Sequence, residues 1–157
     1  MSIDDGSRLR IAVHGAVILL LGLACGIPSV LEAAQEQGRM WQAAHSALLL
    51  LGVWLLATAA IVPLLILGER ESSALVWSMI ITGYSFAAAV IIQAITGERA
   101  ISPDVAPLSR VAFAANLVAV LGAFLSASLT LMGALAGLRA ARQVSGAVTA
   151  AHGRIGT

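Results

Sequence analysis

No lysine occurs anywhere in this chain, and all eight acidic residues, Asp4, Asp5, Glu32, Glu36, Glu69, Glu71, Glu98 and Asp104, fall outside its long apolar runs. The second absence argues against proton-coupled transporters and small multidrug exporters, whose mechanism requires a carboxylate within the membrane. Charge is scarce altogether: 11% of the 157 residues are charged against 59% hydrophobic, and the mean hydropathy is +0.95. Those values lie far from a soluble globular domain and define an integral membrane protein. The nine basic residues, all Arg, form no patch suited to nucleic acid. The single cysteine, Cys25, can make no intrachain disulfide. It is also a poor lipoprotein site, because Gly22-Leu23-Ala24-Cys25 has glycine where such a signal needs a large aliphatic residue. The first apolar run is too long, and its leading flank too acidic, for an ordinary cleaved signal peptide, so it reads as a retained helix.

What the chain does have is four apolar runs, Ile11–Leu31, Ala43–Leu67, Ala74–Ile95 and Val111–Leu138. Each reaches the roughly 20 residues that a spanning helix needs. The expectation is an all-α, four-transmembrane-helix up-down bundle forming a single membrane domain over 1–157, with a short mobile tail at 143–157. An even number of spans puts both termini on one side, together with Arg8, Arg10, Arg70, Arg139, Arg142 and Arg154, while Arg39, Arg99 and Arg110 lie on the other. By the positive-inside rule both termini are cytoplasmic. Glycines four apart in Gly22-Leu-Ala-Cys-Gly26 and Gly133-Ala-Leu-Ala-Gly137 allow close helix approach, within the chain or between copies. Pro63 is expected to kink the second helix and Pro28 to mark the exit of the first.

An ionisable side chain inside a span is a functional candidate by default, and His45, in Trp41-Gln-Ala-Ala-His45-Ser46, sits just inside the second. His14 lies near the opposite end of the first helix, roughly 20 Å or more away, so the two cannot easily share one metal. Gln93 and Thr96 are expected beneath His45, with Asn116 a little deeper, Arg99 and Arg110 flanking the layer, and Tyr84 nearer mid-membrane. A neutral imidazole as axial ligand, arginines for propionates and aliphatic walls are the elements of a haem site. The alternative is that His45 caps helix two at the interface, that Trp41 is an aromatic-belt anchor, and that Tyr84 and Asn116 are hydrogen-bond glue between helices.

The pattern His14-Gly15, Trp41-x-x-Ala44-His45-Ser46 with Gly52 seven residues after the histidine, and Gly83-Tyr84-Ser85 resembles the styrene oxide isomerase family, as do Gly97-Glu98-Arg99 and Met132-Gly133-Ala134-Leu135. The resemblance implies a bacterial inner-membrane enzyme that binds haem b through His45 and assembles as a homo-oligomer, with a trimer suggested. Its ferric iron would act as a Lewis acid on a small apolar epoxide, giving an aldehyde by Meinwald rearrangement. Trp41, Ser46, Arg99 and Arg110 would then contact the cofactor, and Tyr84 and Asn116 the substrate. The family pattern has an Asn six residues after the axial histidine and a Tyr six residues after the aromatic of helix three; this chain has Leu51 and Val90 there. Two polar substrate contacts are therefore replaced by apolar side chains. That leaves an isomerase with a repacked pocket, a haem-binding electron carrier or sensor, or a cofactor-free structural subunit.

Overall fold

The computed structural model describes residues 3–32, 36–98 and 106–155, with side chains described over 6–32, 36–98 and 106–143. Four helices account for nearly all of these: α1 (Ile3–Leu31), α2 (Glu36–Ile61), α3 (Glu69–Thr96) and α4 (Pro107–Ile155). All four are long and apolar enough to cross a membrane. Each begins before its apolar run, because a helix can continue past the hydrocarbon while its side chains meet headgroups and water, and the isolated Gly6 and Gly38 in the flanks do not stop it. α4 also outruns its expected end at Leu138, where Arg139-Ala-Ala-Arg-Gln supplies good helix formers, and runs on to Ile155 through most of the segment read as a tail.

Pro28 and Pro63 act differently from expectation. Pro28 lies inside α1 rather than beyond it. Pro63 ends α2 instead of kinking it: the α-helix stops at Ile61, a 3-10 turn follows over Val62–Leu64, and Leu65 is extended. Proline has no N–H to continue the ladder and disfavours helical geometry in the residue before it. α3 then starts from Gly68, whose N–H donates to Glu71 Oε2 at 2.7 Å, and ends at Gly97, which adopts the left-handed conformation (φ 71°) that glycine accepts without penalty.

The packing is less even than a square bundle. α1 packs most extensively on α2, and α3 on α4, while α3 also touches α1 and α2. Among the described residues no Cα of α2 comes within 8 Å of a Cα of α4. α3 is the central helix, with 44% of its apolar window buried, against 22% for α4, which leans on α3 from outside. One buried cluster, built on Ile11, Leu55, Leu75 and Met79, holds the end of the molecule with the chain termini; a second, on Ile18, Cys25, Ala44, Leu48, Ala87 and Ala94, holds the other.

The glycine pairs are used inside the chain. A Cβ on Gly22 would lie 3.0 Å from the Leu49 nitrogen and 3.1 Å from Leu48 Cβ, so α1 and α2 meet there almost backbone to backbone. Gly133 and Gly137 receive the connection between α2 and α3, with Leu65, Leu67 and the Leu64 carbonyl against them. With no hydrophobic drive between helices in lipid, such close approach supplies the dispersion contact that holds them together.

Candidate cofactor and substrate site

His45 lies nine residues into α2 rather than at its mouth, because the helix begins at Glu36. The near end of the bundle is fixed by Gln37, whose Nε2 donates to the carbonyls of Ala94 at 3.2 Å and Ile95 at 2.9 Å. His45 is about 12 Å deeper along α2 at 1.5 Å per residue. Gln93 and Thr96 therefore sit toward the membrane surface and not beneath it. Thr96 is occupied locally, its hydroxyl donating to the Ile92 carbonyl at 2.9 Å.

The imidazole of His45 turns toward α1. Its Nδ1 lies 2.8 Å from the Gly22 carbonyl oxygen. A carbonyl can only accept, so Nδ1 carries the proton and, in the neutral ring, Nε2 keeps its lone pair. Gly26 makes this placement possible, since a Cβ there would stand 2.9 Å from Nδ1 and 3.1 Å from Cε1 of the ring. The pair Gly22 and Gly26 thus does two things at once: one glycine admits the α2 backbone and supplies the acceptor, and the next leaves the notch for the ring.

Trp41 is one turn before His45 and half-buried, packed against the cluster that contains Cys25 and Ala94. Ser46 is exposed beside the histidine. Arg110 is exposed at the start of α4, where its N–H donates to the Ala106 carbonyl at 3.1 Å and where the Ser109 hydroxyl donates to Glu98, tying α3 to α4. Arg99 lies outside the described residues. Sequence reasoning missed Gln37 and the Ser109–Glu98 link; only their flanking position and polarity could have signalled them.

Tyr84 is placed with His14 rather than with His45. Its hydroxyl lies 2.9 Å from His14 Nδ1, and the two rings stand edge to face, 5.6 Å between centroids and 85° between planes. Gly22 and Gly26, which receive His45, lie eight and twelve residues beyond His14 on the same helix, or about 12 to 18 Å. That is shorter than the sequence suggested, because His45 is deeper, yet still too far for the two histidines to share a metal. Among the described residues no cluster of three or more His, Cys, Asp or Glu could hold a metal ion by itself.

A second feature lies across α2. Ala47, Leu50, Leu51 and Trp54 form one wall of a cavity of about 430 Å³, Thr82 and Phe86 its floor, and Ala119, Val120 and Ala123 the far wall. At about 100° per residue, the spacing 47, 50, 51, 54 marks one face of α2, whereas His45, Leu48, Gly52 and Leu55 mark the opposite face, toward α1. Helix α2 therefore separates the cavity from the imidazole. Asn116, half-buried, lies one turn before Val120 on α4. The two departures from the family pattern meet: Leu51 and Val90 both pack against the cluster of Ile18, Cys25 and Leu48, and Leu51 also lines the cavity.

Four apolar helices, no strand among the described residues and a span-embedded histidine oriented by a backbone carbonyl define a small polytopic membrane protein with one prepared imidazole. The family description of the styrene oxide isomerases matches residues 7–135, from the first turns of α1 to just past the middle of α4. The chain belongs to the styrene oxide isomerase family, and at the level of that family it is an isomerase. No individual curated protein and no solved structure matches it.

Proposed function

We propose that the chain is a haem b-dependent epoxide isomerase of the bacterial inner membrane, both termini cytoplasmic, that converts a small apolar aryl epoxide to an aldehyde by Meinwald rearrangement. The observation that carries this reading is the bond from His45 Nδ1 to the Gly22 carbonyl. Histidines that bind metals commonly donate their second ring nitrogen to a carbonyl or carboxylate, which fixes the tautomer and raises ligand basicity. The donor set fits an axial ligand: one imidazole whose Nδ1 donates to a carbonyl, which leaves Nε2 as the nitrogen to ligate, with its ring seated in a glycine notch.

Ferric haem, when bound, supplies Lewis-acid polarisation of the epoxide oxygen without need of a proton donor. The work of the protein is then to hold, orient and keep dry. His45 would hold the iron, and Gly22 and Gly26 fix the plane of its ring. Trp41 and Ser46, flanking it on α2, would contact the macrocycle, and Arg99 and Arg110 would meet the propionates. Apolar walls would exclude water from a ring-opened benzylic cation, so that a hydride shift outruns hydration. Asn116 is the proposed polar contact to substrate; Tyr84, held by His14, would act from near the middle of α3. Assembly as a homo-oligomer, a trimer on the family pattern, belongs to the same proposal.

The test is the absorption spectrum of detergent-purified protein after haem-replete expression. A Soret band in the wild type that is lost in His45→Ala assigns the ligand; its absence from the wild type overturns the haem reading. Aldehyde formed from styrene oxide in the ferric state and abolished by dithionite completes the case. A Soret band without aldehyde leaves a haem-binding relative that does not isomerise.

A further inference from the structure

Where α1 and α3 begin, side by side at the end of the molecule with the chain termini, a cavity of about 240 Å³ opens between them. Ser7 and Arg10 border it from α1, and Glu69, Ser72, Ser73 and Trp77 from α3. Its polar groups are unspent. Ser72 is only 8% exposed, yet its hydroxyl makes no hydrogen bond, nor do those of Ser7 and Ser73. Elsewhere Ser29, Ser78, Ser126 and Ser128 all donate to a carbonyl three or four residues back, the usual use of a serine inside a helix. The Ser72 oxygen is not sealed in by protein, and the space beside it is this cavity. Arg10 and Glu69 bring opposite charges to the same cavity and do not pair with each other. Glu71, by contrast, is engaged locally by the Gly68 N–H.

Two opposite charges held apart across one polar cavity define a ligand that bears both. A simple anion would gain Arg10 and the hydroxyls but meet the Glu69 carboxylate, and a simple cation would meet the Arg10 guanidinium. A zwitterion satisfies both ends. The forked donors of arginine suit a phosphate. A carboxylate only accepts, so it takes a primary ammonium better than a quaternary one, which has no N–H to give.

The position of the cavity makes the source a lipid. Trp77, 55% exposed, stands on the α3 wall as tryptophans do at a membrane surface. Deeper on the same faces the groove turns apolar: Val13 and Val17 follow Arg10 on α1, Ile81 follows Trp77 on α3, and all three are exposed. His14 and Tyr84 bond across this groove, about 6 to 10 Å below the cavity, and hold α1 to α3 there.

We propose that the cavity seats the phosphoethanolamine headgroup of a membrane lipid, with Arg10 and the serine hydroxyls on its phosphate, Glu69 on its ammonium, and the acyl chains along Val13, Val17 and Ile81. Gly22 and Gly26, where His45 is seated, lie about 18 to 24 Å further along α1. Lipid binding here therefore requires nothing of the cofactor or the reaction at His45.

The experiment reconstitutes the full chain in nanodiscs of phosphatidylcholine, phosphatidylethanolamine and phosphatidylglycerol in equal parts, and counts the lipids retained on release in a native mass spectrometer. One phosphatidylethanolamine per chain is expected, in preference to the other two. Arg10→Gln should weaken its retention about fivefold to tenfold, the worth of a charge-assisted hydrogen bond at a partly open site. Glu69→Gln should abolish the preference for ethanolamine over choline, and Ser72→Ala should weaken retention by a smaller factor. Arg142→Gln removes the same charge from α4 at the same end and should change nothing; an equal loss there would reduce the effect to surface charge and overturn the assignment. Equal retention of the three lipids by the wild type also overturns it, as does a preference for phosphatidylglycerol, which attraction to arginine alone would give. So does an ethanolamine preference that survives both Arg10→Gln and Glu69→Gln. Soluble glycerophosphoethanolamine that competes as well as the lipid would give the site to a free solute and refute the lipid source.

Discussion

Gly26→Ala adds one methyl group and tests whether the seat of His45 is a built ligand site. The new Cβ would stand 2.9 Å from Nδ1 and 3.1 Å from Cε1. Ordinary contact needs about 3.4 Å or more, so the ring must retreat by about 0.5 Å. The bond to the Gly22 carbonyl, now 2.8 Å, would stretch beyond about 3.2 Å and lose most of its strength. Two costs follow. Overpacking the α1–α2 seam should destabilise by about 1–3 kcal/mol. Loss of the bond that orients a metal-binding histidine typically lowers affinity by about 10- to 100-fold.

Haem titration followed by the Soret band separates these costs when Gly133→Ala is run alongside. Its Cβ would meet Leu65 and Leu67 at 3.0 Å, comparable crowding at the other end of the molecule. Both variants should melt earlier, but only Gly26→Ala should lose haem affinity and shift the band. Equal haem affinity in Gly26→Ala and wild type would refute the argument that the notch positions the ligand. An equal loss in both variants would reduce it to a general packing effect.

Three further outcomes follow from the same contacts. Tyr84→Phe should cost about 1 kcal/mol by orphaning His14 Nδ1 and leave the Soret band unchanged, since the pair lies away from His45; a lost or shifted band contradicts that placement. Leu51→Asn puts an amide into an apolar wall and should lower stability by about 1–3 kcal/mol; an unchanged melting temperature would show that the wall at position 51 tolerates a polar group. Gln37→Leu removes both bonds to the end of α3 and should destabilise by about 1–2 kcal/mol, with faster amide exchange at Gly97, whose N–H bonds the Gln93 carbonyl at 2.9 Å; unaltered exchange there would deny the clamp.

The spans and their number were legible because hydropathy and length are properties of composition along the chain, and a run of twenty apolar residues has few other uses. His45 was legible because an imidazole in a span is costly enough to need a reason. Its depth was not, since hydropathy marks where a helix enters lipid and not where the helix starts; the error of seven residues at Glu36 carried Gln93 and Thr96 to the wrong layer. The partner of Tyr84 was hidden as well, because His14 lies seventy residues away and only the rotation of α1 against α3 brings them together. Ser72 gave no signal at all: a serine without its helical hydrogen bond looks in sequence like any other.

The unequal packing of the four helices accounts for both features of the site. Glycines bring α1 onto α2 through Gly22 and Gly26, and α4 onto α3 through Gly122. Between α2 and α4 no glycine seam exists; Leu50, Leu51 and Trp54 face Ala119 and Ala123 across a gap that the large side chains hold open and the small ones do not fill. A tight seam fixes the imidazole by close contact on both sides, and a loose one leaves a cavity. Substituting Ala119 or Ala123 by larger residues should therefore affect the cavity without disturbing His45, whereas changes at Gly22 or Gly26 should do the reverse. If cavity-filling variants instead impaired haem retention as notch-filling ones do, α2 would not divide two sites, and the separation drawn from its faces would be wrong.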